Sequence, residues 1–175
     1  IAYKNLSAGK TYKVTGTLYK KATDEAGNVS EEKLVVNGQD VTAEAEFVAE
    51  ASEGTVEVTF DFDATGFDDN TDLVAFESLS HNGVELCAHA DINDEGQSVT
   101  VTKPEVGTTA TDGFDGDKNV VADTDATVTD TVDYKNLTPG KTYKVTGTLY
   151  KKVTDEAGNV SEEKLAVNGQ DVTAE

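Results

Sequence analysis

Apolar and polar residues alternate with a period of two along most of this chain. Tyr12, Val14 and Leu18 alternate with Lys13, Thr15 and Thr17, and Val56, Val58, Phe60 and Phe62 alternate with Glu57, Thr59 and Asp61. Val41, Ala43, Ala45 and Phe47 form a third row. Such a row turns one face of a strand to a core and the other to water. Turn signals end the rows, at Ala26-Gly27-Asn28, Asn37-Gly38, Asn82-Gly83 and Pro139-Gly140. No segment carries an apolar helical stripe of useful length. Thr and Val are abundant, as half-buried sheets prefer. The expectation is an all-β chain, an immunoglobulin-like antiparallel β-sandwich.

The rows also repeat. Residues 1–44 return as residues 132–175, and only six of the forty-four positions differ. The period, 131 residues, is the size of an ordinary domain. The chain reads as a window on a tandem array of near-identical units, one that does not respect their boundaries. A boundary is expected at Lys103-Pro104-Glu105, where one strand ends and another begins. Residues 1–103 would then be a repeat unit lacking its first strand or strands. Residues 104–175 would be the N-terminal portion of the next.

Composition narrows the function. Net charge is −20 and there is no arginine, which excludes a nucleic-acid binder, since phosphates need cationic partners. The charge suits a self-repelling, soluble surface. Cys87 is the only cysteine, so no disulfide forms within the chain. No signal peptide or membrane-length apolar stretch is present, which for a window says little about its parent. Asp115, Asp117 and Asn119 have the alternate spacing of a calcium loop, but the glycine and distal glutamate of an EF-hand do not follow. That stretch and Asp91–Gly96 read as solvated acidic loops.

The informative residues are polar ones at positions where the alternation demands apolar ones. Glu77 has the parity of Leu73, Ala75 and Leu79, and Gln97 that of Val99 and Val101. Thr108 has the parity of Val106 and Ala110, and Asp130 that of Val128, Val132 and Tyr134. His89 shares a face with Cys87. A buried carboxylate, amide, hydroxyl or imidazole is costly unless partnered, so the economical reading is that they partner one another. Taken singly, each also reads as an ordinary strand or half-buried residue. Together a hydroxyl, a carboxamide, an imidazole and two carboxyls make an acyl-transfer set: nucleophile, electrophile, proton carrier and orienting groups.

At these residues the chain resembles the Thr–Gln ester-bond domains of Gram-positive surface adhesins, also called VaFE repeats. The motif of that name stands as Val74-Ala-Phe-Glu77. Ala88-His-Ala-Asp-Ile-Asn-Asp-Glu-Gly-Gln97 matches the family's His and Gln spacing. Val106-Gly-Thr-Thr-Ala110 matches its threonine strand, and Asp130-Thr-Val-Asp-Tyr134 with Asn136-Leu-Thr-Pro-Gly140 its second strand. The resemblance implies a sandwich in a rod of repeats, with a spontaneous ester between a Thr hydroxyl and a Gln side chain. It makes Thr108 the nucleophile, Gln97 the acceptor, and His89, Glu77 and Asp130 the assisting groups. Thr108 is preferred to Thr109 because it has the inward parity and comes first.

One departure follows from the repeat. In the family each bond joins the first and last strands of one domain, yet Gln97 and Thr108 belong to successive units. Head-to-tail pairing of repeats or chains is therefore expected, with Thr108 of one beside Gln97 of its neighbour. The resemblance implies a structural shaft of a cell-wall-anchored, extracellular Gram-positive adhesin or pilus-like fibre. It implies no cofactor or metal, no nucleic acid, no membrane contact in this segment, and a host surface met by a separate tip domain. Self-modification in a single turnover would make the chain no enzyme. The alternative is a ligand-binding module for host glycan or protein, whose loops would be more aromatic or variable than the duplicated ones here. A hydrolase lacks an indicated cleft. A Lys–Asn isopeptide domain is disfavoured by the outward parity of Lys13 and Lys144.

Overall fold

The computed structural model describes all residues, 1–175, and every regular element in it is a strand apart from a single turn of 3₁₀ helix. The chain divides into two units, Ile1–Lys103 and Pro104–Glu175. Unit 1 holds β1 (Ala2–Tyr3), β2 (Thr11–Thr23), β3 (Val29–Lys33), β4 (Val35–Val36), β5 (Gln39–Asp40) and β6 (Thr42–Val48). It continues with β7 (Gly54–Thr55), β8 (Thr71–His81), β9 (Val84–His89), the turn Glu95–Gln97 and β10 (Ser98–Val101).

The long strand β2 organises this unit. It shows the alternation read from sequence, with Tyr12, Val14 and Leu18 buried and their neighbours less so. One edge pairs with β6 along Thr11–Thr17 and with β3 along Tyr19–Thr23. The other edge pairs with β8, from Lys13 opposite Ser80 to Lys20 opposite Leu73. Beyond β8 lie β10, opposite its first half, and β9, opposite its second. The result is a curled antiparallel sheet of six strands. Leu18, Leu34, Val41 and Leu73 form its core, with Phe60, Phe62 and Phe67 packed across them. Full burial of each such side chain contributes about 1.5–3 kcal/mol. A second cluster, Leu6, Tyr12 and Ala49, takes in Tyr3 and Phe47.

Residues 56–62 differ from the expected strand in one respect. Their side chains do alternate, with Val56, Val58, Phe60 and Phe62 turned partly inward and Glu57, Thr59 and Asp61 exposed. Val56 exchanges two backbone bonds with Ile1, each at 2.9 Å, and residues 57–62 have no ladder partner within this sequence. Side-chain burial sets the alternation, whereas a ladder needs a second strand.

Unit 2 is built of smaller pieces. Its longest ladder is the hairpin of β11 (Glu105–Asp112) and β12 (Val128–Lys135). After it come β13 (Gly147–Thr148), β14 (Tyr150–Thr154), β15 (Val160–Lys164), β16 (Ala166–Val167), β17 (Gln170–Asp171) and β18 (Thr173–Ala174). These pair only as two-stranded ribbons, β14 with β15, β16 with β17 and β13 with β18. None of the buried apolar side chains lies in this unit. No helix of the chain is long and apolar enough to cross a membrane.

Candidate functional site

Three of the five candidate residues meet in unit 1. Strands β8 and β9 pair antiparallel, with Glu77 opposite His89 and Leu79 opposite Cys87. Residues directly opposite share a face, so these four side chains lie on one surface. Gln97 arrives by a different route from the one its parity suggested. It is the last residue of the 3₁₀ turn, one position before β10 begins. The turn is held by Asp94, whose carboxylate accepts from the Gly96 N–H at 2.7 Å and whose carbonyl accepts from the Ser98 hydroxyl at 2.7 Å.

The Gln97 side chain is gripped on one side only. Its Nε2 donates to Glu77 Oε2 at 2.5 Å and reaches the His89 carbonyl at 3.5 Å. Its Oε1 is buried and has no hydrogen-bond partner. An orphaned buried acceptor costs about 1–3 kcal/mol, and buried polar atoms are rarely left so. Here the orphan is the carbonyl oxygen of an amide, the atom that gathers negative charge when a nucleophile adds to the carbon beside it.

Electrostatics act on the same cluster. Loss of water around Glu77 raises its carboxyl above the ordinary value, partly offset by the Gln97 amide N–H and by the nearby His89 ring. The imidazole is held from its outer side, with Nε2 at 3.0 Å from Asp94 Oδ2.

The cluster opens on a groove of about 890 Å³. Glu77, Cys87, His89 and Gln97 line it together with Val56, Val58 and Phe60 of the extended segment.

Thr108 and Asp130 are in unit 2, on the β11–β12 hairpin. Directly opposite pairs are Val106 with Tyr134, Thr108 with Val132, and Ala110 with Asp130. These six residues share one face, with Thr108 and Asp130 diagonal neighbours across the ladder. The other face carries Gly107 with Asp133, Thr109 with Thr131, and Thr111 with Thr129. Thr108 therefore stands on the apolar face and Thr109 on the polar one. That apolar face is open to solvent: Val106 and Tyr134 are exposed, as are Thr108 and Asp130, and Val132 is half-buried.

Sequence parity placed Glu77 and His89 among apolar neighbours but did not reveal Asp94, which sat in a stretch read as a solvated loop. The signal was there: an Asp two residues before Gly96 makes the local turn, and it lies five residues after His89. In the other acidic stretch, Asp117 accepts from the Asn119 backbone and side chain, and these bonds hold it below the ordinary carboxylate value. No group of three or more His, Cys, Asp or Glu is arranged to hold a metal ion.

Neither a curated protein nor a solved structure matches the chain significantly. A family model does, twice, over residues 1–101 and again over 104–175. The chain belongs to the family described as T-Q ester bond containing domain, a cross-linked domain of the surface-adhesin type.

Proposed function

We propose that the chain is a load-bearing segment of an extracellular, cell-wall-anchored shaft, in which each repeat is closed by an ester between a Thr108 hydroxyl and a Gln97 side chain. The observation that carries this reading is the Gln97 amide, fixed by Glu77 through nitrogen, orphaned at oxygen, and part of the lining of the groove. The Thr108 Oγ adds to Gln97 Cδ, the C–N bond breaks, and the amide nitrogen leaves as ammonia with the hydroxyl proton. His89 carries the proton from oxygen to nitrogen. A protonated Glu77 can donate to the amide oxygen once the amide turns over, and its raised affinity for protons favours that form. Each group acts once, so the reaction is self-modification and the chain is no enzyme.

The hairpin of a neighbouring copy is the natural occupant of the groove. Ala2 pairs with Thr55 and Tyr3 with Gly54, and Asp133 and Tyr134 are their repeat counterparts. A neighbouring copy's strand that took the place of Ile1–Tyr3 in that register would set Val132 opposite Val56, where Ile1 now pairs, and Asp130 opposite Val58. Asp130 would then stand on the groove wall with Thr108 diagonal to it, and residues 57–60 would gain their missing ladder by strand addition. A head-to-tail contact of this kind propagates into a fibre. Near-identical loops in the two copies of the repeat support a shaft over a ligand-binding module, whose loops would diverge.

Two variants test this. A Q97A chain keeps its Thr108 and a T108A chain keeps its Gln97. Neither alone should give a covalent band on a denaturing gel, and their mixture should give a dimer. Its mass should fall short of the two chains by about 17 Da, the ammonia lost in acyl transfer. A parent chain of full mass with no cross-linked species would remove the ester. A monomer lighter by one ammonia would keep the ester and remove the head-to-tail contact.

A further inference from the structure

We infer that Lys118 guards one edge of the β11–β12 hairpin, so that the hairpin adds to a second copy of this chain through β12 alone. The inference deepens the head-to-tail reading and rests on a residue outside the five of the acyl-transfer set. A two-stranded hairpin has two open edges, and each is a template for another strand. The head-to-tail contact uses the β12 edge. Pairing through the β11 edge would instead stack one hairpin on another.

The ladder decides which backbone groups face which edge. The Gly113 N–H donates to the Thr127 carbonyl at 2.8 Å, in register with the strands, so Thr111 with Thr129 and Thr109 with Thr131 are the hydrogen-bonded pairs. The N–H and C=O groups of Val106, Thr108, Ala110 and Asp112 then point away from β12. Those of Val128, Asp130, Val132 and Tyr134 point away from β11. The β12 set suits the head-to-tail contact. Ile1 exchanges both its backbone bonds with Val56, and Ile1 and Tyr3 are the repeat counterparts of Val132 and Tyr134. Val132 and Tyr134 therefore hold out along the open edge of β12 the same groups that Ile1 and Tyr3 turn toward residues 54–56.

The β11 edge is closed beyond Thr108. Lys118 Nζ donates to the outward carbonyl of Ala110 at 2.5 Å. The outward N–H of Asp112 donates to the Asp117 carbonyl at 2.8 Å, and the Asp112 carbonyl accepts from the Gly116 N–H at 3.0 Å. Asp112 is itself buried, and its carboxylate accepts from the Phe114 N–H at 2.6 Å, which fixes the loop where β11 ends. Lys118 is the only cation between Glu105 and Tyr134. The aspartates beside it serve the loop, Asp115 accepting from the Asp117 N–H and Asp117 from the Asn119 N–H. Lys118 forms no ion pair with them and stands on a backbone carbonyl instead. A strand arriving at this edge would have to strip the ammonium from Ala110 and desolvate it, which is how lysines blunt sheet edges.

The test is amide hydrogen exchange of the full chain at low and high concentration, in the T108A background so that association stays reversible. The Asp130 and Val132 N–H groups report the β12 edge and the Ala110 N–H the β11 edge. With Lys118 in place, concentration should slow Asp130 and Val132 about tenfold, the scale of one net hydrogen bond, and leave Ala110 fast. K118M removes the ammonium and keeps the length. It should slow Ala110 as well and add larger species in sedimentation velocity. K118R keeps a charged donor and should behave like Lys118. The Asp112 N–H shows whether the loop stays folded. Should it open in K118M, the edge is bare all the same and the slowing of Ala110 is still expected. A fast Ala110 N–H in K118M at the high concentration would overturn the inference, as would a slowed one with Lys118 in place. If Asp130 and Val132 stay fast throughout, the head-to-tail reading fails, and Ala110 in K118M still decides the guard.

Discussion

Residues 1–44 and 132–175 are nearly the same sequence in two surroundings. What survives the change of surroundings is what the sequence encodes locally. Both copies make the same turn: Asp24 accepts from the Ala26 and Asn28 N–H groups at 2.9 and 2.8 Å, and Asp155 from Ala157 and Asn159 at 2.9 and 2.8 Å. Both make the same hydroxyl bond, Ser7 N–H to Tyr12 and Thr138 N–H to Tyr143, each at 3.0 Å. Both make the same ion pairs, Lys13 with Glu44 at 2.7 Å and Lys144 with Glu175 at 2.8 Å. What does not survive is the long strand. Thr11–Thr23 is continuous, whereas its counterpart is broken into Gly147–Thr148 and Tyr150–Thr154. Val14 is 1% exposed and Val145 52%, and Tyr12 is 4% exposed against 47% for Tyr143. In unit 1 β2 has β6 along one edge and β8 along the other, whereas the strand residues beside its counterpart in this sequence are only the two of β18 and those of β15. Turns belong to the sequence, and strands belong to their neighbours.

The largest effect should come from breaking that neighbour. Leu73 of β8 is fully buried against Leu18, Leu34 and Val41. Leu73→Ala should lower the stability of unit 1 by about 2–5 kcal/mol, measured by urea denaturation. The Asp24 and Asp155 turns should keep equal amide-exchange protection relative to each other at low denaturant. A loss confined to the Asp24 turn would mean that the turn leans on the core after all.

A glycine pair sharpens the same contrast. A Cβ on Gly16 would meet the Phe60 ring 2.5 Å away, and a Cβ on Gly147 would meet nothing within 4 Å. Gly16→Ala must push the ring that forms part of both the core and the groove wall, so it should cost about 1–3 kcal/mol. Gly147→Ala should change stability by less than about 1 kcal/mol, in either direction. Equal melting shifts for the two variants would show that the packing behind Gly16 is softer than its geometry implies.

This pair also shows how much could be read in advance. The inward set Tyr12, Val14 and Leu18 was legible because a strand's period is two and its apolar residues keep it. The shared face of Glu77, His89, Leu79 and Cys87 follows from the same rule once β8 and β9 are in register. Parity could not tell that Gln97 ends a 3₁₀ turn, since one turn disturbs an alternation without erasing it. It could not show that residues 57–62 alternate without a ladder, because backbone pairing depends on a second strand and leaves no mark on the first. Nor could it tell Val14 from Val145, which have identical neighbours for seven residues on the C-terminal side and differ only in what lies across the sheet.

Glu77 extends the comparison to the site, where a titratable group depends on its surroundings and not on its turn. Its folded-state value is raised, chiefly by burial. The folded chain thus holds this proton more tightly than the unfolded one. The associated stability is fully present below the unfolded value near 4.5 and is lost as pH rises through the folded value. The parent should lose stability over that window relative to Glu77→Gln, with melts compared at matched ionic strength so that the general charge of the chain cancels. Parallel pH profiles for the two would mean that Glu77 is solvated despite its place beside Gln97.

The smallest effect bears on the root of the comparison. Asp24 and Asp155 are both fully exposed, and both are held below the ordinary carboxylate value first by the amide of Asn28 or Asn159 and then by backbone N–H groups. Each carboxylate accepts from that amide at 2.8 Å. A depressed carboxylate contributes above its unfolded value and loses that contribution as pH falls through the folded value, so both turns should loosen only in acid. Because every partner lies within four residues, the depression should be the same in both copies although one adjoins a core and the other does not. Side-chain carboxyl shifts followed by NMR should give Asp24 and Asp155 superimposable titration curves. Asn28→Ala and Asn159→Ala should each move their own aspartate upward, by the same amount, and leave the other untouched. Curves that differ between the copies would show that even these turns are tuned by what the chain packs beside them.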